Sequence, residues 1–565
     1  MKTTDKDSCL ILVSLLVKHG VRHVVISPGS RNAPLVVALA QCDAIEKTVV
    51  IDERSAAFIA LGKASIVDGA VALVCTSGTA VLNYAPAIAE AYYRKLPLVV
   101  VSADRPMEWI DQDDSQTLRQ YEALSHYVKR SYNIPSRCDN DTSRWYVNRV
   151  VNDAMLCALS GRRAPVHINL QLDEPLNVRK PAEATYWTER FIGHVAPGRI
   201  LTDSELTHLV ERLSSPNKVL VIGGFHKPDS LLNESLGRLA MMPNVTVLCE
   251  SIANIHNRLF IDSIDSTLSI LDDEGKRSLT PDVVITFGGA LVSRFVKQYL
   301  RNYRVGEHWH VGMTDNTIDC FQSLTLRIDM EAGSFFAQIA DAMRESIDDS
   351  DYSARWHEVA REARLLHDKY VSSIPWSDMS AMSVIMSMLP HDCNLQLSNG
   401  TSIRYAQLFS SRDIRRSDCN RGVSGIDGCT STAIGASTVY DGVTVLITGD
   451  MSAQYDIGAL TVDCIPPRFK MIVMCNGGGG IFRFISSTSN QPELEEYFVV
   501  KRHFPLRQMA EAYGFRYFEA DSAESLRCNF QNFMEVSDRP SIMAVHTPAE
   551  ESAEVLRGYF KRHAR

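Results

Sequence analysis

The sequence predicts an α/β protein of three domains with mainly parallel sheets, the first and last domains being related. Three observations carry this. Short apolar runs rich in β-branched residues alternate with helical stretches, the pattern of a parallel sheet with crossover helices. The runs are apolar without alternation, as strands covered on both faces are. The glycine spacing of the N-terminal third recurs in the C-terminal third.

Taken in order, residues 8–20 read as a helix closed by Gly20. Residues 23–27 read as a strand, which Pro28-Gly29-Ser30-Arg31 turns into the next helix. Strands follow at 48–51, ending on Asp52-Glu53-Arg54, at 71–75, ending on Thr76-Ser77-Gly78-Thr79, and at 98–102, before Asp104-Arg105-Pro106. Residues 179–199 carry prolines and glycines with no period and read as a linker. Thr202-Asp-Ser-Glu205 has the form of a capping box. The runs 218–224 and 281–289 are strands ending in paired glycines, and 341–369 is charged and helical. Neither run completes a G-x-G-x-x-G fingerprint, and no G-x-x-x-x-G-K-[ST] occurs, which argues against a dinucleotide cofactor or a P-loop.

The repeat is quantitative. Gly29 and Gly78 are 49 positions apart, as are Gly400 and Gly449; Gly62 and Gly69 are seven apart, as are Gly435 and Gly442. The expected domains are therefore 1–185, 186–369 and 370–565. Within this alignment Glu53 stands where the last copy has Ile426, and Thr79 stands where it has Asp450. The two copies do different work.

Composition narrows the class. The chain has 565 residues, 45% hydrophobic and 22% charged, with a net charge of −9, which does not suit a general nucleic-acid binder. Its thirteen cysteines form no C-x-x-C pair, and no apolar run reaches the ~18 residues of a membrane span. A cytoplasmic protein with no membrane span is expected.

The most informative stretch runs from Gly449 to Phe482. The apolar run 443–448 delivers Gly449-Asp450 to a strand end; the run 470–475 delivers Asn476 and then Gly477 to Gly480. Asp450 and Asn476 are 26 positions apart, one strand–helix–strand crossover, so both reach the same sheet edge. Mg²⁺ takes oxygen ligands and keeps phosphate and water in its shell. A carboxylate, an amide oxygen and the carbonyl of a bare glycine such as Gly478 fit a magnesium-bound diphosphate. Singly, Asp450 reads as a helix N-cap and the glycines as a turn; the joint placement favours the diphosphate.

This stretch resembles the GD…N signature of thiamine diphosphate enzymes. SPGSRNAPL (27–35), DERSAAFIALG (52–62), TSGTAVLNYAPAIAEA (76–91), SADRP (102–106) and NRGVSGIDG (420–428) together resemble one family more particularly, the 2-succinyl-5-enolpyruvyl-6-hydroxy-3-cyclohexene-1-carboxylate synthases. The resemblance covers the whole chain. It implies a pyrimidine-binding, a central and a diphosphate-binding domain, and a homodimer or dimer of dimers with sites between chains. It implies thiamine diphosphate with Mg²⁺, or Mn²⁺, held by Asp450, Asn476 and Gly478. Asn399, Gly400, Gly449, Met451, Ser452 and Gly479 are implied around the cofactor. Glu53 is implied as the catalytic residue that hydrogen-bonds the aminopyrimidine. Ile426 is implied as the apolar wedge beneath the cofactor, and Ile481 and Phe482 as walls near the reacting carbon.

Ser30, Arg31, Arg105, Gln116, Arg294, Arg404 and Arg421 are implied to face the substrates. These are 2-oxoglutarate, which is decarboxylated, and isochorismate, which receives the succinyl carbanion in a 1,4-addition on the way to menaquinone. The arginines suit this, since each substrate carries two carboxylates and Arg binds carboxylate bidentately. Singly, each reads as a solvated charge. Two positions depart from the family pattern: Ser115 stands where Asn is expected, and Gly400 where Ser is. The alternative reading is another thiamine diphosphate decarboxylase or carboligase, such as an acetolactate synthase-like enzyme.

Overall fold

A computed structural model of the chain describes residues 2–182, 189–196, 198–214, 216–343 and 349–563. Three six-stranded, all-parallel sheets dominate it. In the first, β1 (His23–Ile26), β2 (Glu46–Val49), β3 (Val71–Cys75), β4 (Leu98–Asp104), β5 (Ser131–Ile134) and β6 (Val166–Gln171) lie in the order β2-β1-β3-β4-β6-β5. The second holds β7 (Val219–Gly223), β8 (Val245–Cys249), β9 (Phe260–Ile261), β10 (Val283–Phe287), β11 (Glu307–Val311) and β12 (Leu324–Ile328), ordered β9-β8-β7-β10-β11-β12. The third holds β13 (Asn394–Leu397), β14 (Arg416–Cys419), β15 (Thr444–Gly449), β16 (Phe469–Cys475), β17 (Arg516–Ala520) and β18 (Ser541–His546), ordered β14-β13-β15-β16-β18-β17. Strand for strand, the third order repeats the first. The glycine intervals therefore mark a true duplication of topology. The middle sheet is different, and has the doubly-wound order without its glycine fingerprint.

The apolar runs became strands because both faces are covered: all residues of β3, β4, β7, β8 and β10 are buried. The chain forms two compact units, Met1–Ala196 with Gly422–Asp441 and Tyr455–Pro466, and Pro197–Arg421 with Gly442–Gln454 and Pro467–Arg565. The second and third sheets belong to the latter.

Within the first unit, α1 (Glu53–Ile66) crosses α2 (Cys429–Val439). The crossing is made at equivalent positions of the repeat. A Cβ on Gly62 would lie 2.0 Å from the Thr432 carbonyl oxygen, and one on Gly435 would lie 2.1 Å from that of Ile59. No side chain fits at either point, so the glycines that reveal the duplication are there to let two backbones touch.

Two sequence expectations need correction. Residues 179–199 are not linker throughout: Arg179–Pro181 pairs antiparallel with Lys2–Thr4. The expected strand 48–51 instead runs from Glu46 to Val49. It is an edge strand, and the chain must leave it by Val50 so that Asp52 can cap α1, leaving Ile51 83% exposed. The Thr202 capping box is present as expected. No described helix is long and apolar enough to cross a membrane.

Candidate active site

Asp450 follows the last residue of β15 and begins α3 (Asp450–Tyr455). It is buried, and among the described residues no Lys or Arg forms an ion pair with it. Its Oδ1 accepts the Met451 amide at 2.7 Å, and its Oδ2 accepts those of Gly477 and Gly478 at 2.9 and 3.0 Å. Burial pushes its carboxyl up to about 6 against those three hydrogen bonds, with the nearby Asp378 charge adding to the rise. Asn476, just past β16, is held by its amide nitrogen: Nδ2 donates to Asp378 Oδ2 at 2.8 Å, and Oδ1 has no hydrogen-bond partner among the described residues. Asp378 in turn accepts from Thr547 Oγ1 at 2.5 Å.

Gly478 has φ +126°, and a Cβ there would strike the Val499 carbonyl at 2.3 Å, so only glycine fits. Its own carbonyl accepts the Gly480 amide at 2.8 Å, with a second lone pair to spare. A carboxylate, an amide oxygen and a carbonyl thus share one sheet edge. Among the described residues no group of three or more His, Cys, Asp or Glu could hold a metal, so a cation here would rest on this mixed oxygen set. The set fits Mg²⁺ beside a diphosphate, since a hard ion that retains water and phosphate needs few protein ligands. Gly449 has open space at its Cβ position, Met451 and Ser452 form the first turn of α3, and Gly479 is tied to the Val499 carbonyl at 2.8 Å. Ile481 and Phe482 lie on a short 3₁₀ turn and are half-buried.

In the same unit, Arg294, Arg404 and Arg421 come together. The Arg404 guanidinium is lowered to about 10, first by burial and then by the charges of Arg421 and Arg294. Arg404 donates to the Gly400 carbonyl; Arg421 donates to Asn399 Oδ1 at 2.9 Å and to the Leu291 carbonyl at 3.4 Å. Asn399 also donates to the Asn420 carbonyl at 2.6 Å. Gly400 has φ +103°, which disfavours serine there and accounts physically for one departure from the family pattern.

The first unit holds the remaining residues. Glu53 is the first residue of α1, half-buried, with no hydrogen-bond or ion-pair partner among the described residues. Its neighbour Arg54 is engaged elsewhere, donating to the Tyr455 carbonyl at 2.9 Å and lying over the Tyr455 ring. Arg31 and Arg105 are both buried, and burial followed by the Arg105 charge lowers the Arg31 guanidinium. Arg105 bonds Asp114, Ser77 Oγ and the Gln116 carbonyl; Arg31 bonds the Leu172 carbonyl and Glu174. Ser30, Ser115 and Gln116 are exposed. Ile426 lies in the loop before α2, which is pinned by Gly428 against Phe58 and by Glu90, whose carboxylate accepts the Gly422 and Val423 amides at 2.8 and 2.6 Å.

Sequence reasoning missed Asp378, Glu90 and Gln120. Gln120 is buried and accepts the Gly78 amide at 2.7 Å. Each is a lone polar residue far along the chain from what it holds, and no local spacing marks it.

A sheet edge with this oxygen set and a paired-domain topology defines a thiamine diphosphate enzyme. Residues 10–123 match the family model described as the thiamine pyrophosphate enzyme N-terminal TPP binding domain. Proteins named 2-succinyl-5-enolpyruvyl-6-hydroxy-3-cyclohexene-1-carboxylate synthase align along nearly the whole chain. The one from Porphyromonas gingivalis is 41% identical, covering 99% of this chain and 97% of its own. Those from Flavobacterium johnsoniae and Bacteroides thetaiotaomicron are 35% and 34% identical, covering 97% and 99% of this chain and 98% and 99% of their own. The chain belongs to the 2-succinyl-5-enolpyruvyl-6-hydroxy-3-cyclohexene-1-carboxylate synthase family.

Proposed function

We propose that the protein is a thiamine diphosphate- and Mg²⁺-dependent transferase of menaquinone biosynthesis. It decarboxylates 2-oxoglutarate and adds the succinyl unit to isochorismate by 1,4-addition, giving the compound for which its relatives are named. The observation that carries the substrate class is the mutual approach of Arg294, Arg404 and Arg421. A guanidinium, that of Arg404, depressed by the charges of Arg421 and Arg294 beside it calls for anions, and both substrates are dicarboxylates.

Bound thiamine diphosphate supplies a nucleophilic C2 that attacks a 2-oxo carbon and an electron sink for the charge left when CO₂ departs. The chain's own residues do the rest. Asp450, Asn476 Oδ1 and the Gly478 carbonyl would hold Mg²⁺, and Mn²⁺ shares the same preference for oxygen. Glu53, with no hydrogen-bond or ion-pair partner for its carboxylate among the described residues, is available to share a proton with the aminopyrimidine. Ile426, Ile481 and Phe482 supply apolar surface, while Arg294, Arg404 and Arg421 take one carboxylate set and Ser30, Arg31, Arg105 and Gln116 the other.

The active form is a homodimer, or a dimer of dimers, with sites shared between chains. Glu53 and Asp450 belong to different compact units, and Val49 and Ile51, just ahead of Glu53, are 60% and 83% exposed, apolar surface suited to burial against a second copy. Thirteen free cysteines suit the reducing cytoplasm. The test is to incubate the protein with thiamine diphosphate, Mg²⁺ and 2-oxoglutarate, with and without isochorismate, and identify products by mass. The succinylated product should form only with both substrates; consumption of neither would reject the reading.

A further inference from the structure

The central sheet contributes a buried acid that nothing above assigns. Glu250 follows β8, is 2% exposed, and has no ion-pair partner at contact distance among the described residues. Both its carboxylate oxygens lie 2.8 Å from the Val292 amide, and Oε1 is also 2.6 Å from the Ser293 amide. It thus clamps the turn 291–293 through two adjacent backbone N–H groups. Burying a carboxylate for this purpose is costly: it is pushed up to about 7 by burial, against the two amide bonds and the Arg421 charge.

What leaves that turn explains the cost. The Leu291 carbonyl accepts from Arg421 Nη2 at 3.4 Å and from Lys297 Nζ at 2.7 Å. Ser293 caps the helix α4 (Arg294–Asn302), accepting the Val296 amide at 3.1 Å while its hydroxyl donates to the half-buried Asp265. The first residue of that helix is Arg294. One clamped turn therefore sets both the carbonyl that steers Arg421 and the helix start that presents Arg294.

We propose that Glu250 is a positioning residue for dicarboxylate binding, holding the Leu291–Ser293 turn so that Arg294 and Arg421 converge with Arg404 on one carboxylate. It touches no substrate itself. This deepens the reading of the arginines as a substrate site and rests on it. A merely structural acid would lower stability or kcat without singling out the anion; a positioning acid weakens anion binding and leaves the chemical step alone.

The experiment compares wild type, Glu250→Ala and Glu250→Gln, each loaded with thiamine diphosphate and Mg²⁺. It measures calorimetric affinity for glutarate, an unreactive dicarboxylate, and KM and kcat for 2-oxoglutarate. In Glu250→Ala, glutarate affinity should fall and KM rise at least ~10-fold, with kcat within about 3-fold. Glu250→Gln keeps one carbonyl acceptor and should lie between, at about 2- to 5-fold. Should the alanine variant not fold, the glutamine variant decides. Unchanged glutarate affinity in every folded variant, a fall in kcat alone, or a wild type that does not bind glutarate would overturn the proposal. A wild type that binds glutarate, loses it in the variants, yet never turns over 2-oxoglutarate would overturn the proposed reaction and leave the role of Glu250 standing.

Discussion

Asn476 donates its amide nitrogen to the buried Asp378 carboxylate at 2.8 Å, across 98 positions of sequence. The bond fixes which way the amide faces. With Nδ2 engaged by Asp378, Oδ1 is the atom left to serve a cation. Partners behind metal ligands typically contribute 10- to 100-fold in affinity. In Asp378→Asn the new amide can donate to Oδ1 and reverse the Asn476 side chain. Mg²⁺-dependent thiamine diphosphate binding, measured by calorimetry, should weaken ~10- to 100-fold with the melting temperature largely kept. Wild-type affinity would separate Asp378 from the metal site.

Glu53 offers the sharpest test of cofactor activation. Glu53→Gln preserves shape but cannot share a proton with the pyrimidine. Thiamine diphosphate should still bind, while exchange of its C2 proton, followed by NMR, slows by ~10²-fold or more. Wild-type exchange in the variant would make this carboxylate structural.

Arg404 should discriminate by charge. Arg404→Ala ought to cost ~1.5–3 kcal/mol more in kcat/KM with a dicarboxylate substrate than with an analogue lacking the bound carboxylate. Equal losses on both would remove Arg404 from the substrate site.

Much of this was legible in the sequence, for identifiable reasons. The glycines at 62 and 435 survive where two helix backbones touch, so their spacing preserved the duplication that the two sheet orders display. Asp450, Asn476 and Gly478 stand at strand ends, where apolar runs stop abruptly. Asp378, Glu90 and Glu250 left no such trace: each acts through one or two hydrogen bonds to a distant segment, and a single acid between apolar residues looks the same whether it caps, clamps or faces water. The edge strand lies at 46–49 and not at the expected 48–51 because Val49 and Ile51, though apolar, are exposed in the single chain, so hydrophobicity does not mark its end.

Site sharing can be tested with two defective proteins. Asp450→Ala should abolish Mg²⁺-dependent cofactor binding with the fold intact, and Glu53→Gln should be inactive by the route above. If each site takes Glu53 from one chain and Asp450 from another, a heterodimer of the two has one doubly defective and one intact site. Half of a random mixture is heterodimer, so about a quarter of wild-type activity should return in a two-fold dimer after subunit exchange. No recovery after verified exchange would place both residues of a site in one chain.

The central claim is that this enzyme takes a dicarboxylate 2-oxoacid and passes its succinyl unit to isochorismate. The most direct measurement is a competition in which the protein, loaded with thiamine diphosphate and Mg²⁺, receives equimolar 2-oxoglutarate and pyruvate together with isochorismate, and the products are identified by mass. The account predicts that the succinyl adduct of isochorismate dominates and that acetolactate is absent. Acetolactate as the main product, with isochorismate untouched, would contradict it.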